Sequence, residues 1–279
     1  MSLAPDSPFL PYPARLRESR DLTPDVKLLR VELDDARDRE NFRYQPGQFA
    51  FLSAFGMGEA PFTFAGYPKE QGVLEFAIRK VGTVSGALHE LEEGEPLGVR
   101  GPFGNSFPLE DYRGKDIVII GGGIGLAPLR PVIQAILARR EEYGDLLIIY
   151  GARTPADLAF AHEFPSWAEA PRTRLELTVD RGNEGWQGRV ALVPAVVKEL
   201  KPSPQNAITI TCGPPIMIRF VLAELKALNF APQQIVTTLE AKMKCGLGKC
   251  ARCNIGEKYI CQDGPVFTLQ EVASFLEQI

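Results

Sequence analysis

Histidine is almost missing from these 279 residues: His89 and His162 are the two, and neither has a second ligand or a nucleophile near it in sequence. No Ser, His and Asp arrangement stands anywhere in the chain, so nucleophilic hydrolysis has no evident carrier. Both histidines read as ordinary helix residues. Long apolar runs are missing too. No stretch approaches the ~20 residues that cross a bilayer, and the opening MSLAPDSPFLPYP has neither a basic segment nor an apolar one. The expectation is a cytoplasmic protein with no membrane insertion. Positive charge is not in excess, with 31 Lys and Arg against 35 Asp and Glu for a formal net charge of -4. An acidic chain gains nothing from a polyanion, which sets nucleic acid aside as a partner. There is no internal repeat or low-complexity segment.

What is present suffices for folding without disulfides, since 45% of the residues are hydrophobic and 24% charged. Residues 1–112 read as short strands broken by turns. Leu29, Val31 and Leu33 alternate with Arg30 and Glu32, Gln48 to Phe55 follow Pro46-Gly47, and Val73 to Val81 follow Gly72, as in an antiparallel β-barrel. At Asp116 the pattern changes. Ile117 to Ile120 is a continuous apolar run, expected of a strand covered on both faces, and Leu129, Val132, Ile133, Ile136 and Leu137 then form one helical stripe. Further strands are expected at Leu146 to Tyr150, Leu175 to Val179, Ala207 to Cys212 and Ile235 to Leu239, with a helix over Ile216 to Leu228. Alternating strand and helix predict an α/β parallel-sheet domain over 113–231. Residues 232–279, rich in cysteine, glycine and lysine, read as a small C-terminal module ending in a helical pattern from Leu269 to Ile279. The charges of Glu92, Glu93, Glu95 and the run Arg139 to Glu142 read as solvated faces.

Four of the five cysteines crowd together as Cys245, four residues, Cys250, two residues, Cys253, seven residues, Cys261. Four thiolates are the ligand set of a 2Fe-2S cluster, and C-x4-C-x2-C followed by C is the plant-type ferredoxin order. Gly246 and Gly248 suit a loop that turns sharply and aims backbone N–H groups at sulfur. The rival is a structural zinc site of four cysteines, more commonly built from two C-x2-C knuckles; here one pair has that spacing. Cys212 ends an apolar strand, where most cysteines are small buried hydrophobes, yet Gly213-Pro214-Pro215 follows it.

Gly122-Gly123-Ile124-Gly125-Leu126-Ala127-Pro128 joins the buried strand to the helix, the place where free N–H groups and the helix dipole hold phosphate oxygens. It departs from the standard dinucleotide fingerprint, because the third glycine position is Leu126 or Pro128. A tight strand-to-helix turn is the competing reading of these glycines.

Taken in order, these motifs resemble the ferredoxin-NADP reductase superfamily, and within it the branch that holds dihydroorotate dehydrogenase electron-transfer subunits, cytosolic hydrogenase gamma subunits and a subunit of anaerobic sulfite reductase. The resemblance covers nearly the whole chain. It rests on the G-x-G-x-x-P loop Gly123 to Pro128, on Cys212-Gly213-Pro214, on the four cysteines, and on Asp263-Gly264-Pro265-Val266-Phe267 close behind them. It implies an FAD-binding β-barrel over 1–112, an NAD(P)-binding domain over 113–231 and a 2Fe-2S module over 232–279. The family's R-x-Y-S flavin motif falls on Ala60-Pro61-Phe62-Thr63, with the arginine missing, and its G-x-x-S/T motif is Gly82-Thr83-Val84-Ser85.

By that resemblance Thr63 hydrogen-bonds flavin N5, with Phe62, Phe64 and Ile78 around the flavin, although barrel core is the plain reading of these three. Gly82, Thr83, Val84 and Ser85 hold the pyrophosphate, and Arg79 is the candidate to replace the missing arginine. Gly122, Gly123, Ile124, Gly125 and Pro128, with Cys212, Gly213 and Pro214, take the nicotinamide nucleotide, and Cys212 lies beside the nicotinamide. Arg153 favours a 2′-phosphate and Asp180 opposes one, so NAD(H) is preferred, with NADP(H) left open. Cys245, Cys250, Cys253 and Cys261 are the metal ligands. The function implied is electron transfer between NAD(P)H, FAD and the cluster, to or from a redox partner subunit of hydrogenase, heterodisulfide reductase, sulfite reductase or dihydroorotate dehydrogenase type. The alternatives are a free-standing reductase serving a soluble carrier, and a non-redox, zinc-holding assembly or regulatory protein.

Overall fold

The computed structural model describes residues 7–68 and 72–276. They divide into two compact units: the described residues up to Phe107 together with Leu239–Pro265, and Pro108–Thr238 together with the described residues from Val266.

The first unit is built on six strands, β1 (Tyr12–Thr23), β2 (Val26–Leu33), β3 (Phe49–Ala54), β4 (Gly58–Thr63), β5 (Val73–Arg79) and β6 (Pro96–Phe103), with helices α1 (Ala36–Asn41) and α2 (Thr83–Glu90). They form one antiparallel sheet in the order β4-β3-β6-β1-β2-β5. Ala65 N–H, just past β4, donates to Glu75 O on β5 at 2.7 Å, which brings the two ends of the sheet together. The period-2 alternation explains the sidedness of β2. Leu29, Val31 and Leu33 are fully buried, while Arg30 points outward to Glu18 and Glu75 at 2.9 and 3.5 Å. Inside, Phe64 stacks on Tyr44 with centroids 4.0 Å apart and touches Phe76 at 5.1 Å. Each such pair contributes about 1 kcal/mol beyond the area it buries.

The second unit holds β7 (Asp116–Gly122), α3 (Leu126–Ala138), β8 (Leu146–Ala152), α4 (Phe164–Ala168), β9 (Thr173–Val179), β10 (Arg189–Val190), α5 (Val193–Leu200), β11 (Ala207–Cys212), α6 (Pro215–Ala227) and β12 (Ile235–Thr238). After a short antiparallel pair β13 (Asn254–Ile255) and β14 (Lys258–Tyr259), which belongs to the first unit, the chain ends its described course in β15 (Val266–Thr268) and α7 (Leu269–Leu276). The sheet order is β10-β9-β8-β7-β11-β12-β15, parallel except that β15 runs antiparallel to β12. Val118 and Ile120 of β7 pack with Val196 of α5 and Val221 of α6, and Ile117 and Ile119, on the opposite face, are equally buried. That two-sided cover is why β7 reads as an unbroken apolar run. From β7 the strand order steps outward in both directions, to β8 and β9 on one side and β11 and β12 on the other, so the loops after β7 and β11 flank a switch point.

Within the stretch 232–279, residues 232–238 and those from Val266 pack with the parallel sheet, while Leu239–Pro265 packs with the antiparallel one. Three-residue pairing between β12 and β15 is too short to leave a sequence period. The run Arg139 to Glu142 is not simply solvated. Arg140 is buried and donates to the carbonyl oxygens of Pro171, Tyr143, Gly144 and Arg172, tying the turn after α3 to the segment that leads into β9. Ile279 and its two predecessors, placed in the last predicted helix, lie outside the described residues.

His89 sits in α2, buried, with Nε2 2.7 Å from Ile78 O, and His162 lies in the turn Ala161–Glu163, 3.6 Å from the Glu163 carboxylate. Among the described residues, no helix is long and apolar enough to cross a membrane.

Candidate cofactor sites

The loop after β7 turns through Gly123, at φ 55°, into a 3-10 turn and then α3, whose opening amides no side chain caps. Its glycines are required by the chain itself. A Cβ on Gly125 would stand 2.5 Å from Cys212 O, and one on Gly122 would collide with the sulfur of Met217. The loops after β7 and β11 therefore meet backbone to backbone, bringing Gly122 to Gly125 beside Cys212 to Pro214. Tyr150 fixes the loop from below, donating to Gly123 O at 3.1 Å while accepting from Ala159 N–H. Pro128 lies in the first turn of α3, where its missing N–H costs nothing. Cys212 is buried, and its sulfur accepts from the Thr238 hydroxyl at 2.9 Å. At the carboxyl ends of β8 and β9, Asp180 N–H donates to Ala152 O and Arg181 N–H to Arg153 O. This holds exposed Arg153 and exposed Asp180 side by side at the carboxyl edge of the sheet.

In the antiparallel unit, Thr63 ends β4. Its hydroxyl donates to Gln48 O at 3.3 Å and Phe64 O at 3.4 Å, both long for O–H···O, so the group is weakly held and half exposed. Phe62 is half-buried against the core. Phe64 and Ile78 are fully buried within that core, and Ile78 O already lies against His89. Their side chains belong to the barrel core. Arg79 lies 3.1 Å from Asp25, so its charge is already engaged. At Gly82, which opens α2, and at Gly86, a Cβ would meet nothing within 4 Å. No side chain caps the helix. Instead Ser85 Oγ accepts the amides of Val81 and Gly82 at 3.0 and 2.9 Å, leaving exposed Thr83 and half-buried Val84 at a clear helix entrance. Such an entrance suits a phosphate.

The cysteine loop packs on the same unit. Gly246, at φ 74°, has no room for a side chain, because a Cβ would stand 2.9 Å from Phe51 and 3.1 Å from Phe103. Leu247 N–H donates to the Cys245 sulfur at 3.3 Å and Gly248 N–H to the Cys261 sulfur at 3.1 Å. The Cys250 thiol lies against Cys245, and the Cys253 thiol and Cys245 both act on Cys261, so the four sulfurs stand close together. Burial pushes the Cys245 thiol up, but the amides of Leu247, Cys250 and Lys249 and the Cys250 thiol outweigh it and lower it to about 6. Burial and the adjoining Cys253 push Cys261 up to about 12, against the pull of the Gly248 amide. Cys253 and Cys261 are buried, Cys245 is half-buried and Cys250 is exposed. Among the described residues no three His, Cys, Asp or Glu side chains are placed to hold one metal ion. Asp263 and Gly264 tie the far end of the loop down, their carbonyls accepting from Asn105 Nδ2 at 2.9 Å and Asn105 N–H at 2.6 Å.

Sequence reasoning passes over Arg100, which is 3% exposed in β6. It forks onto Glu59 at 3.1 and 2.6 Å, donates to Cys245 O at 2.7 Å, and lies 4.4 Å over the ring of Phe51 and 5.1 Å over that of Phe103. The available signal was a lone charge inside an otherwise apolar strand.

Three stretches match known domains. Residues 13–107 match the oxidoreductase FAD-binding domain, 119–223 the oxidoreductase NAD-binding domain, and 240–273 the iron-sulfur cluster binding domain of dihydroorotate dehydrogenase B. The fold and its three sites thus define an oxidoreductase of the flavin- and nicotinamide-binding class that carries an iron-sulfur module. Sulfhydrogenase 1 subunit gamma of Pyrococcus furiosus is 36% identical over 96% of this chain and 94% of its own length. A probable dihydroorotate dehydrogenase B (NAD(+)) electron transfer subunit of Methanocaldococcus jannaschii is 34% identical over 92% and 89%. The chain belongs to the family that these subunits make up. Among solved structures it is similar to an NADH-dependent reduced ferredoxin-NADP oxidoreductase studied for flavin-based electron bifurcation, with a TM-score of 0.75 and 25% identity over 95% of this chain and 93% of that one. An Amycolatopsis cytochrome P450 reductase gives a TM-score of 0.69 at 27% identity, over 81% and 68%.

Proposed function

We propose that this chain is the electron-transfer subunit of a larger redox complex, moving electrons between a nicotinamide nucleotide, FAD and a 2Fe-2S cluster, to or from a partner subunit. The observation that carries the reading is one loop that brings Cys245, Cys250, Cys253 and Cys261 together, with the Leu247 and Gly248 amides donating to the Cys245 and Cys261 sulfurs. A binuclear cluster takes two thiolates at each iron, and amide hydrogen bonds to sulfur tune it. When bound, the flavin converts two-electron hydride chemistry into single-electron steps that the cluster relays.

The chain's own residues serve that exchange as follows. Thr63 presents a weakly engaged hydroxyl for a hydrogen bond to flavin N5. Gly82, Thr83, Val84 and Ser85 receive the pyrophosphate at the clear entrance of α2. Gly122 to Gly125, with Pro128, receive the nucleotide phosphates at α3. The Thr238 hydroxyl orients the Cys212 sulfur, which with Gly213 and Pro214 lines the nicotinamide position. Exposed Asp180 accepts from an unphosphorylated ribose, which favours NAD(H), while Arg153 leaves NADP(H) within reach. Five unbridged cysteines favour a reducing compartment, the cytoplasm.

Oxygen-free purification followed by iron, acid-labile sulfide and flavin assays tests the reading. Two irons and two sulfides per chain, with a visible spectrum bleached by NADH, are expected. Zinc in place of iron, or no flavin, would refute it.

A further inference from the structure

Cys250 is the one exposed thiol of the four, and its surroundings invert the sign of the chain. Residues 241–256 contain Lys242, Lys244, Lys249 and Arg252 and no acid, in a protein of net charge -4. Lys244, Lys249 and Arg252 are all exposed, and none forms an ion pair among the described residues, whereas most arginines of the antiparallel unit face a carboxylate. Beside them Phe9 and Leu10 are 53% and 56% exposed. They are held to the loop from both sides: Lys249 Nζ lies 5.5 Å from the Phe9 ring, and Arg100 reaches Pro8 O at 3.5 Å as well as Cys245 O. Two large, half-exposed apolar side chains beside three cations that face no carboxylate, on the loop that carries an exposed cysteine, carry a cost with no return in the isolated chain.

We infer that Phe9, Leu10, Lys244, Lys249 and Arg252 form the docking surface for the redox partner, and that the partner offers a carboxylate-rich rim around an apolar spot. The inference rests on the cluster assignment above, because Cys250 then marks the cluster's solvent edge. One electron crosses there per encounter; the cluster is oxidised by one and the partner's centre reduced by one, or the reverse. The cations steer the approach and the two apolar side chains hold the docked state.

The holoprotein, reduced by NADH without oxygen, is mixed in stopped flow with two haem acceptors, acidic cytochrome b5 and basic cytochrome c. Transfer to cytochrome b5 should slow as ionic strength rises, and transfer to cytochrome c should not. In Lys244→Glu/Lys249→Glu the second-order rate for cytochrome b5 should fall on the order of tenfold, with cytochrome c gaining. In Phe9→Ser/Leu10→Ser it should fall with the salt dependence kept. Iron, sulfide and the rate of flavin reduction by NADH are the controls that the fold and cluster survive. If a charge-reversed variant loses iron, the salt dependence of the parent protein alone decides. A parent rate for cytochrome b5 that does not respond to salt overturns the proposal, as does a Cys250→Ala protein that reduces cytochrome b5 as fast as the parent. Parent protein with no iron overturns the cluster assignment instead, a distinct failure.

Discussion

Replacing Arg100 with methionine keeps most of the side chain's volume and removes its charge. Two charge-assisted links disappear, the fork onto Glu59 and the bond to Cys245 O at 2.7 Å, together with the guanidinium over Phe51. Glu59 is 35% exposed and regains water, so its share is small. The Cys245 carbonyl and the lost cation–ring contact contribute more, and the total destabilisation of this unit is about 3 kcal/mol. The cluster should feel the change separately. A buried cation bonded to the Cys245 carbonyl would favour the more negative, reduced state of a cluster held by that cysteine, an effect that the Glu59 charge partly cancels. The expected net effect is a midpoint potential lowered by tens of millivolts, where about 59 mV is a tenfold change for one electron. Redox titration followed by electron paramagnetic resonance reads the potential, and urea unfolding of the holoprotein reads the stability. Arg100→Lys should restore part of the potential and little of the stability, because an ammonium cannot fork onto a carboxylate and still reach Cys245 O. An Arg100→Met protein with unchanged potential and unchanged unfolding midpoint would refute the reasoning.

Other expectations follow from the same contacts. Gly125→Ala drives a Cβ to 2.5 Å from Cys212 O, so it should cost about 3 kcal/mol and weaken NADH binding, checked by thermal melting and by nucleotide titration. Gly246→Ala combines φ 74° with a Cβ 2.9 Å from Phe51, about 2 kcal/mol of strain and overlap, and should lower iron content per chain while leaving flavin bound. Thr63→Ala removes two long hydrogen bonds, so stability should change by under about 1 kcal/mol while flavin reduction by NADH slows in stopped flow; an unchanged rate would remove Thr63 from the chemistry. Arg130→Met breaks a pair with Glu163 at 2.6 Å whose partners are 7% and 15% exposed, and should cost about 3 kcal/mol in a urea titration.

The elements that repeat a period were legible in the sequence, and the reason is local. β2 alternates because one face is buried and β7 is uniformly apolar because both are, whereas α3 keeps its apolar stripe although residues 129–136 are all buried, since Arg130 and Gln134 off the stripe are covered by Glu163. The iron-sulfur domain was legible because its four cysteines stand close together in the sequence. What escaped depends on residues far apart in the chain. Arg100 meets Cys245 O across 145 positions, and no window of sequence contains both. Arg140 looks like part of a charged run until the carbonyls of Pro171 and Arg172 are seen around it. Phe64 and Ile78 sit in motifs that suggest a ligand, yet their side chains point into the barrel, a distinction of facing that composition does not carry. The shared ownership of 232–279 was hidden because β15 is three residues long.

That last feature has a bearing on how the metal centre is assembled. The chain leaves the parallel sheet at Thr238 and re-enters it at Val266, and these two residues are paired neighbours, with Leu239 N–H donating to Pro265 O at 2.9 Å just beyond. The cysteine segment is therefore a hairpin excursion whose base is clamped by the sheet, so the entropy of drawing its ends together is met before any iron arrives. A newly made chain can hold its sulfurs in a corral and wait for the inorganic core, and a descendant could shed or exchange the excursion while both sheets stayed whole.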